Sequence, residues 1–207
     1  MQGRAVPDDL SGTQLAAAIR VSALAEELGS HPHPLSASPM QAIARLHVAA
    51  AAGLIDDAQV GRPRIGAELP RDLSGLPPAP AAEAAAARLR GLAELLGSDA
   101  KHSALLTAAI AHGEILAIRP FVLGNGLVAR AVFRILLVSG GVDPSGVIVP
   151  EAAFLADAVG YGQAAAQYTS GADVPGWVAS CARAVTDGAG EGSTIADAVL
   201  AGKLPQI

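Results

Sequence analysis

The chain has 207 residues, enough for one domain with a sizeable hydrophobic core. Hydrophobic residues make up 51% and charged residues 16%, which excludes an intrinsically disordered chain, and the many alanines beside only 3% aromatic residues favour packed helices over β-sheets. The net charge of −5 comes without a basic stripe, so general nucleic-acid binding is not expected.

The first two predicted helices precede a long irregular connection. Residues 10–28 form a helix that Gly29 ends, and Pro39 opens a second helix that runs to about Ala52. Residues 56–80 show no periodicity and are rich in proline and glycine. A connection of that length is typically functional or mobile.

The rest of the chain is predicted to be helical with short breaks. Five helices are expected, over residues 79–97, 102–118, 127–139, 150–168 and 174–187. The second and third of these five are apolar on nearly every face, which is typical of helices buried among neighbours. The sequence therefore predicts an all-α fold in which two buried central helices meet at the Gly-Asn-Gly turn, residues 124–126.

The predicted organisation is an N-terminal helix (1–35), a helical domain (36–190) and a C-terminal tail (191–207). The longest uncharged apolar run, residues 46–55, is too short to cross a bilayer, and the first ten residues lack the basic tip and hydrophobic block of a secretory signal. The single cysteine, Cys181, agrees with a reducing compartment. We therefore expect a cytoplasmic protein with no membrane partner, and the oligomeric state is left open.

The Gly124-Asn125-Gly126 turn is a candidate anion site. Glycine and asparagine tolerate left-handed backbone conformations, so the three residues can present their amides as a concave group. A helix follows directly, and a helix N-terminus exposes unpaired N–H groups and the positive end of the helix dipole. On spacing alone, an ordinary turn remains the alternative.

The segment around this turn, "IRPFVLGNGLVAR" at 118–130, resembles the signature of the Fic (Fido, Fic/Doc) family, His-Pro-Phe-x-Asp/Glu-Gly-Asn-Gly-Arg-x-x-Arg. The preceding "AAIAHGEILA" resembles the helix that leads into that signature. "GRPR" at 61–64 resembles the family's Gly-Arg-x-Arg, and "LPPAPAAEAAAARLRGLAELL" resembles the proline-rich start of its third helix. The resemblance covers residues 38–187 in order and implies a Fic-like helical bundle.

Fic enzymes typically transfer AMP from ATP to a hydroxyl on a target protein, and this chain replaces three residues of that chemistry. Arg119 occupies the position of the catalytic histidine, and a guanidinium cannot act as a general base at physiological pH. Leu123 stands where an acidic residue holds Mg²⁺, and Leu127 replaces the first motif arginine. The resemblance therefore implies no catalytic residue and no metal site.

The phosphate-binding part of the motif is retained. Gly124, Asn125, Gly126 and the second arginine, Arg130, match the family, and Arg119 adds positive charge. The resemblance implies a phosphate-bearing ligand, ATP or another nucleotide, bound without Mg²⁺. For Arg130 the alternative is an arginine at the edge of the core, paired with a carboxylate.

Many Fic proteins carry an inhibitory helix, Ser/Thr-x-x-x-Glu-Gly/Asn, whose glutamate pairs with the second motif arginine. Ser22 and Glu26 match that pattern, but Glu27 occupies the small-residue position. The resemblance implies a Glu26–Arg130 pair, and a solvated Glu26 is the alternative.

The family has its target-docking flap at the position of residues 64–74. This segment is too short to make a full hairpin expected.

Three functions remain open at this point. The first is a catalytically degenerate Fic-like protein whose anion pocket senses a ligand or holds a protein partner. The second is an active Fic-type transferase with altered chemistry, in which Arg119 stabilises charge. The third is a structural interaction module.

His112, two turns before Arg119, lies off the signature and is interpreted as a buried structural histidine.

Overall fold

The computed structural model of the chain describes residues 10–31, 35–98 and 102–202. Within them lie eight α-helices and no strand: α1 (Leu10–Gly29), α2 (Pro39–Ala51), α3 (Ala82–Gly97), α4 (Ala104–Ile118), α5 (Asn125–Ser139), α6 (Pro150–Ala156), α7 (Ala158–Ser170) and α8 (Val174–Leu200). The all-α prediction is confirmed. None of these helices is both long and apolar enough to span a bilayer.

Helices α4 and α5 form the centre of the fold. α4 packs against α5 and also contacts α3, α7 and α8, while α5 contacts α1 and α2 on its other side. The residues that these two helices bury are mostly alanine, valine, isoleucine and leucine, which allows close approach on several faces at once. The short loop between α4 and α5 ends at Gly124, and Asn125 and Gly126 already belong to α5, which begins two residues before the predicted start at 127.

Helix α1 is fastened to the end of α2. The Arg20 guanidinium donates to the carbonyl oxygens of Ala49 and Ala52, at 3.0 and 3.1 Å. Carbonyls in the last turn of a helix have no partner within that helix, so a cation there satisfies them and complements the helix dipole. α1 thereby lies against both α2 and α5.

The C-terminal helices differ from the prediction in two places. The segment predicted as one helix over 150–168 is divided at Asp157, whose side chain accepts the Gly160 N–H at 2.9 Å and caps α7. The helix predicted to end near residue 187 continues to Leu200, into the predicted tail. Within this extension Gly188 allows close packing: an added Cβ there would lie 2.7 Å from the Val149 carbonyl.

Candidate anion-binding site

The loop between α4 and α5 is closed by the side chain of Asn125. Its Oδ1 accepts the Phe121 N–H at 2.9 Å, and its Nδ2 donates to the Phe121 carbonyl oxygen at 2.9 Å. The loop begins at Arg119 and ends at Gly124, both in left-handed backbone conformation with φ of 39° and 83°. Asn125 is fully buried, so its side-chain amide needs partners within the protein, and the backbone of Phe121 supplies two of them.

His47 on α2 packs against the loop between α4 and α5. Its ring stacks on Phe121 with centroids 3.8 Å apart. The Gly61 N–H donates to Nδ1 at 3.0 Å, so the ring proton is on Nε2, which donates to the Leu123 carbonyl oxygen at 3.0 Å. Burial lowers the pKa of His47 to about 4, although its bond to the Leu123 carbonyl acts in the opposite direction. No sequence motif indicated that this histidine positions the candidate site.

Arg64 fixes the end of α4. Its buried guanidinium donates from Nε to the Arg119 carbonyl oxygen at 2.8 Å and from Nη2 to the Ile118 carbonyl oxygen at 3.2 Å. It also bonds the carbonyl oxygens of Glu68 and Pro80, so one cation satisfies four backbone acceptors. Burial lowers the pKa of Arg64, and the charge of Glu68 offsets this in part. The connection between α2 and α3 is therefore bonded directly to the candidate site.

Asp72 contacts the first residue of α5, a contact that sequence analysis missed. Its Oδ2 accepts the backbone N–H of Asn125 at 2.8 Å, and its Oδ1 accepts from Asn125 Nδ2 at 2.7 Å. A carboxylate is thus already bound at the start of the helix, where the dipole favours negative charge. The only signal in the sequence was its place in a long connection.

Arg119 lies beneath the same connection. Its Nη1 donates to the Leu73 carbonyl oxygen at 3.2 Å, and its Nη2 donates to the Pro77 carbonyl oxygen. The side chain is buried, and its Nε has no hydrogen-bond partner among the described residues. Burial lowers the pKa of Arg119, the charge of Asp72 opposes this, and the group stays protonated. Arg119 therefore holds backbone carbonyls and does not line the neighbouring cavity.

An open cavity of about 320 Å³ lies beside the start of α5. Residues from α1, α2, the α2–α3 connection, the α4–α5 loop and α5 line it: Gln14, Ala50, Leu54, Asp72, Leu73, Leu123, Gly124, Gly126, Leu127 and Arg130. Across residues 10–31, 35–98 and 102–202, no acceptor bonds the backbone N–H groups of Gly126 and Leu127. The Arg130 guanidinium passes so close that a Cβ added to Gly126 would lie 3.3 Å from Nη1. Two free amides and one cation thus share one cavity.

The Glu26–Arg130 pair is not formed. Arg130 makes no ion pair within the described part of the chain, Glu26 is exposed, and Glu27 pairs with Arg45 at 3.3 Å. The surface that α1 turns toward Arg130 consists of small side chains, namely Ala18, Val21, Ser22 and Ala25, around a cavity of about 220 Å³. Helix α1 is therefore close to the site, but its glutamates remain in solvent.

His112 on α4 lies in a buried cluster of aromatic rings. Its ring contacts those of Phe133, Phe154, Tyr161 and Trp177, and Nε2 lies 3.0 Å from the Tyr161 hydroxyl. Burial, and to a lesser degree the charge of Arg130, lowers its pKa to about 3. Burial raises the pKa of Tyr161, while Arg130 acts against that rise. This environment agrees with a neutral structural histidine.

The residues present do not fit a divalent metal ion. Leu123, at the position of the family's acidic ligand, has no side-chain oxygen, and its carbonyl accepts from His47. The described residues contain no group of three or more histidine, cysteine, aspartate or glutamate side chains that could hold one.

Residues 40–137 match the family model described as "Fic/DOC family". Among solved structures, a Fic family protein from Desulfovibrio desulfuricans is 21% identical with a TM-score of 0.72, and Fic-1 from C. elegans is 17% identical with a TM-score of 0.66. This chain is covered to 94% and 93%, but it spans only 57% and 56% of those two chains. No curated protein matches. The resemblance inferred from the motif is confirmed over residues 40–137.

Proposed function

We propose that this chain, Fic-like over residues 40–137, is a catalytically degenerate protein that binds a phosphate-bearing ligand, ATP or another nucleotide, at the start of α5. One observation carries the proposal: Gly126, Leu127 and Arg130 line one cavity, and among the described residues the two backbone N–H groups have no acceptor and Arg130 has no carboxylate partner. Its volume of about 320 Å³ falls at the lower end of the range for ligand pockets, about 300–1,000 Å³.

The catalytic half of the proposal is supported by the contacts of the replaced residues. Arg119 cannot accept a proton, and its guanidinium is engaged with two carbonyls. A positioned general base contributes roughly 10²–10⁴ in rate, and charge neutralisation by a metal contributes several kcal/mol. Without both, adenylylation by the usual route is expected to be very slow.

The binding half is supported by electrostatics. The N-terminus of α5 presents unpaired N–H groups and the positive end of the helix dipole, which favour an anion. Arg130 can donate to two phosphate oxygens at once, as guanidinium groups commonly do. A side chain at position 126 would lie 3.3 Å from Arg130 Nη1, so the guanidinium would have to shift to accommodate it.

Arg130→Gln is expected to weaken binding of pyrophosphate, ADP and ATP at least about tenfold, because a hydrogen bond from a charged donor is worth about 1.5–3 kcal/mol. Isothermal titration calorimetry measures this. Arg134→Gln is the matched control: Arg134 lies one turn further along α5 and bonds the Gly146 carbonyl oxygen at 3.0 Å. It should bind like the wild type. Equal weakening in both variants would refute a specific role for Arg130.

No label transfer is expected when the protein is incubated with labelled ATP and a cell lysate, because base and metal ligand are both missing. Gel autoradiography, with Arg119→Ala as the control, tests this. Label that depends on Arg119 would establish a transferase with altered chemistry instead. Absence of binding by every phosphate compound, both in the folded wild type and in a folded Asp72→Asn variant, would leave the structural interaction module.

A further inference from the structure

The 71–77 segment lies across the start of α5 and is bonded there at several points. The Arg71 N–H donates to the Val122 carbonyl oxygen at 2.7 Å, which joins the segment to the loop before α5. One residue later, the Asp72 carboxylate accepts from both the backbone and the side chain of Asn125. The segment therefore lies against the first N–H group of α5, next to the Gly126 and Leu127 N–H groups that the proposed ligand would bind.

The Asp72 carboxylate occupies part of the candidate anion site. It lines the same cavity as Gly126, Leu127 and Arg130, and it bonds the N–H immediately before the two free ones. A phosphate on those free amides would lie close to this carboxylate. Two negative charges at such short separation repel strongly in a partly buried site. Binding of an anion and the present position of Asp72 therefore oppose each other.

Leu73 shows that the segment is held against a local cost. Its φ of 58° is a left-handed conformation that leucine seldom adopts, and surrounding contacts must enforce it. Its side chain lies over Gly126, with Cδ2 3.5 Å from where a Cβ would be. It also lines a second, apolar cavity of about 190 Å³ with Leu76 and Leu116. Movement of Leu73 would relieve the backbone conformation and open the space between the two cavities.

Arg119 supplies the contacts that enforce this conformation. Its guanidinium donates to the carbonyl oxygens of Leu73 and Pro77, within the segment itself. The residue at the position of the motif histidine thus binds the segment rather than a ligand.

We propose that the 71–77 segment is autoinhibitory: Asp72 occupies part of the anion site, Arg119 holds the segment closed, and a phosphate-bearing ligand binds in competition with Asp72. This inference rests on the proposed function. It adds that the Asp72 carboxylate, in the α2–α3 connection, lowers the affinity of the site for an anion.

Asp72→Asn tests the inference because it removes the charge and keeps the shape. Calorimetric titration with pyrophosphate is expected to show binding roughly tenfold tighter or more than in the wild type, since the competing anion is gone. Asp57→Asn is the matched control: Asp57 is an exposed carboxylate of the same connection and does not line the cavity. It should leave the affinity unchanged. Circular dichroism checks that each variant is folded.

The outcomes separate the two proposals. If the wild type binds pyrophosphate and Asp72→Asn binds no more tightly, the autoinhibitory role is wrong and the proposed function stands. If only Asp72→Asn binds, the autoinhibitory role is supported in its strongest form. If neither binds, the proposed function fails and this inference fails with it.

Hydrogen exchange of the wild-type protein gives a readout that needs no variant. Saturating pyrophosphate should slow exchange at Gly126 and Leu127 and speed it at Arg71, whose N–H bonds the loop before α5. Slower exchange at the first two without a change at Arg71 would mean that the ligand binds beside a closed segment and would overturn the inference. Unchanged exchange at all three in the wild type, and at Gly126 and Leu127 in Asp72→Asn as well, would overturn both proposals.

Discussion

Arg64→Met should lower the free energy of unfolding by roughly 4 kcal/mol, because it leaves four backbone carbonyl oxygens without their donor. A buried polar group left without a partner costs about 1–3 kcal/mol. The carbonyls of Ile118 and Arg119 precede the Gly-Asn-Gly turn, so pyrophosphate binding should be lost together with stability. Urea denaturation and calorimetric titration measure the two effects.

Arg62→Met is the matched control for Arg64→Met. Arg62 lies two residues earlier and pairs with Glu68 at 2.7 Å, but both side chains are partly exposed. Solvent screens such a pair, so the loss of stability should be much smaller and anion binding should be retained. Arg64→Lys, which keeps the charge but fewer hydrogen bonds, should fall between the two. A larger loss for Arg62→Met than for Arg64→Met would contradict the role given to Arg64.

Acidification from pH 7 to pH 5 should lower the free energy of unfolding by about 4 kcal/mol through His47 and His112. Burial holds their pKa values at about 4 and about 3 in the folded protein, against 6.5 for an unperturbed histidine. The unfolded chain therefore binds more protons throughout this range. The stabilisation is fully present above pH 6.5 and is lost as the pH falls toward 4. Urea denaturation at pH 7, 6 and 5 measures it.

His47→Asn separates the two histidines. An asparagine can still accept from Gly61 but cannot titrate, so about half of the pH dependence between 6.5 and 5 should disappear. Arg62, Gln59 and the Ile65 N–H hold the pKa of Glu68 below its usual value, so stability from this carboxylate is lost only below about pH 4.5. It cannot account for the change. Equal stability at pH 7 and pH 5 would show that neither histidine is held neutral.

The positions of most helices followed from local sequence signals. Pro39 and Gly97 mark the beginning of α2 and the end of α3, as expected from proline at a first helical turn and glycine at a helix end. The prediction was wrong within 150–168, where Asp157 caps a new helix, and beyond residue 187, where Gly188 and Gly192 let α8 pack closely against residues 147–150. Composition alone does not show whether a glycine ends a helix or allows a close contact.

The candidate site was predicted in part. The Gly-Asn-Gly motif located the turn, and the substitutions at 119, 123 and 127 indicated which chemistry is missing. The expected partner of Arg130 was Glu26, which the structure leaves exposed. The carboxylate that does reach the turn belongs to Asp72, 53 residues before Asn125 in the chain. No short-range pattern links two residues so far apart.

The sequence by itself determined that this protein is all-α, that two apolar helices lie at its centre, and that the motif between them keeps a helix N-terminus while lacking a base and a metal ligand. These properties depend on composition, periodicity and side-chain chemistry, which are read residue by residue. Only the tertiary structure decided that Asp72 binds at that N-terminus, that Arg119 holds the segment above it, and that no carboxylate of residues 10–31, 35–98 or 102–202 pairs with Arg130. The physical reason is that packing of α2 and its following connection against the α4–α5 loop sets these contacts, because hydrogen bonds between distant segments form only where the fold brings buried donors and acceptors together.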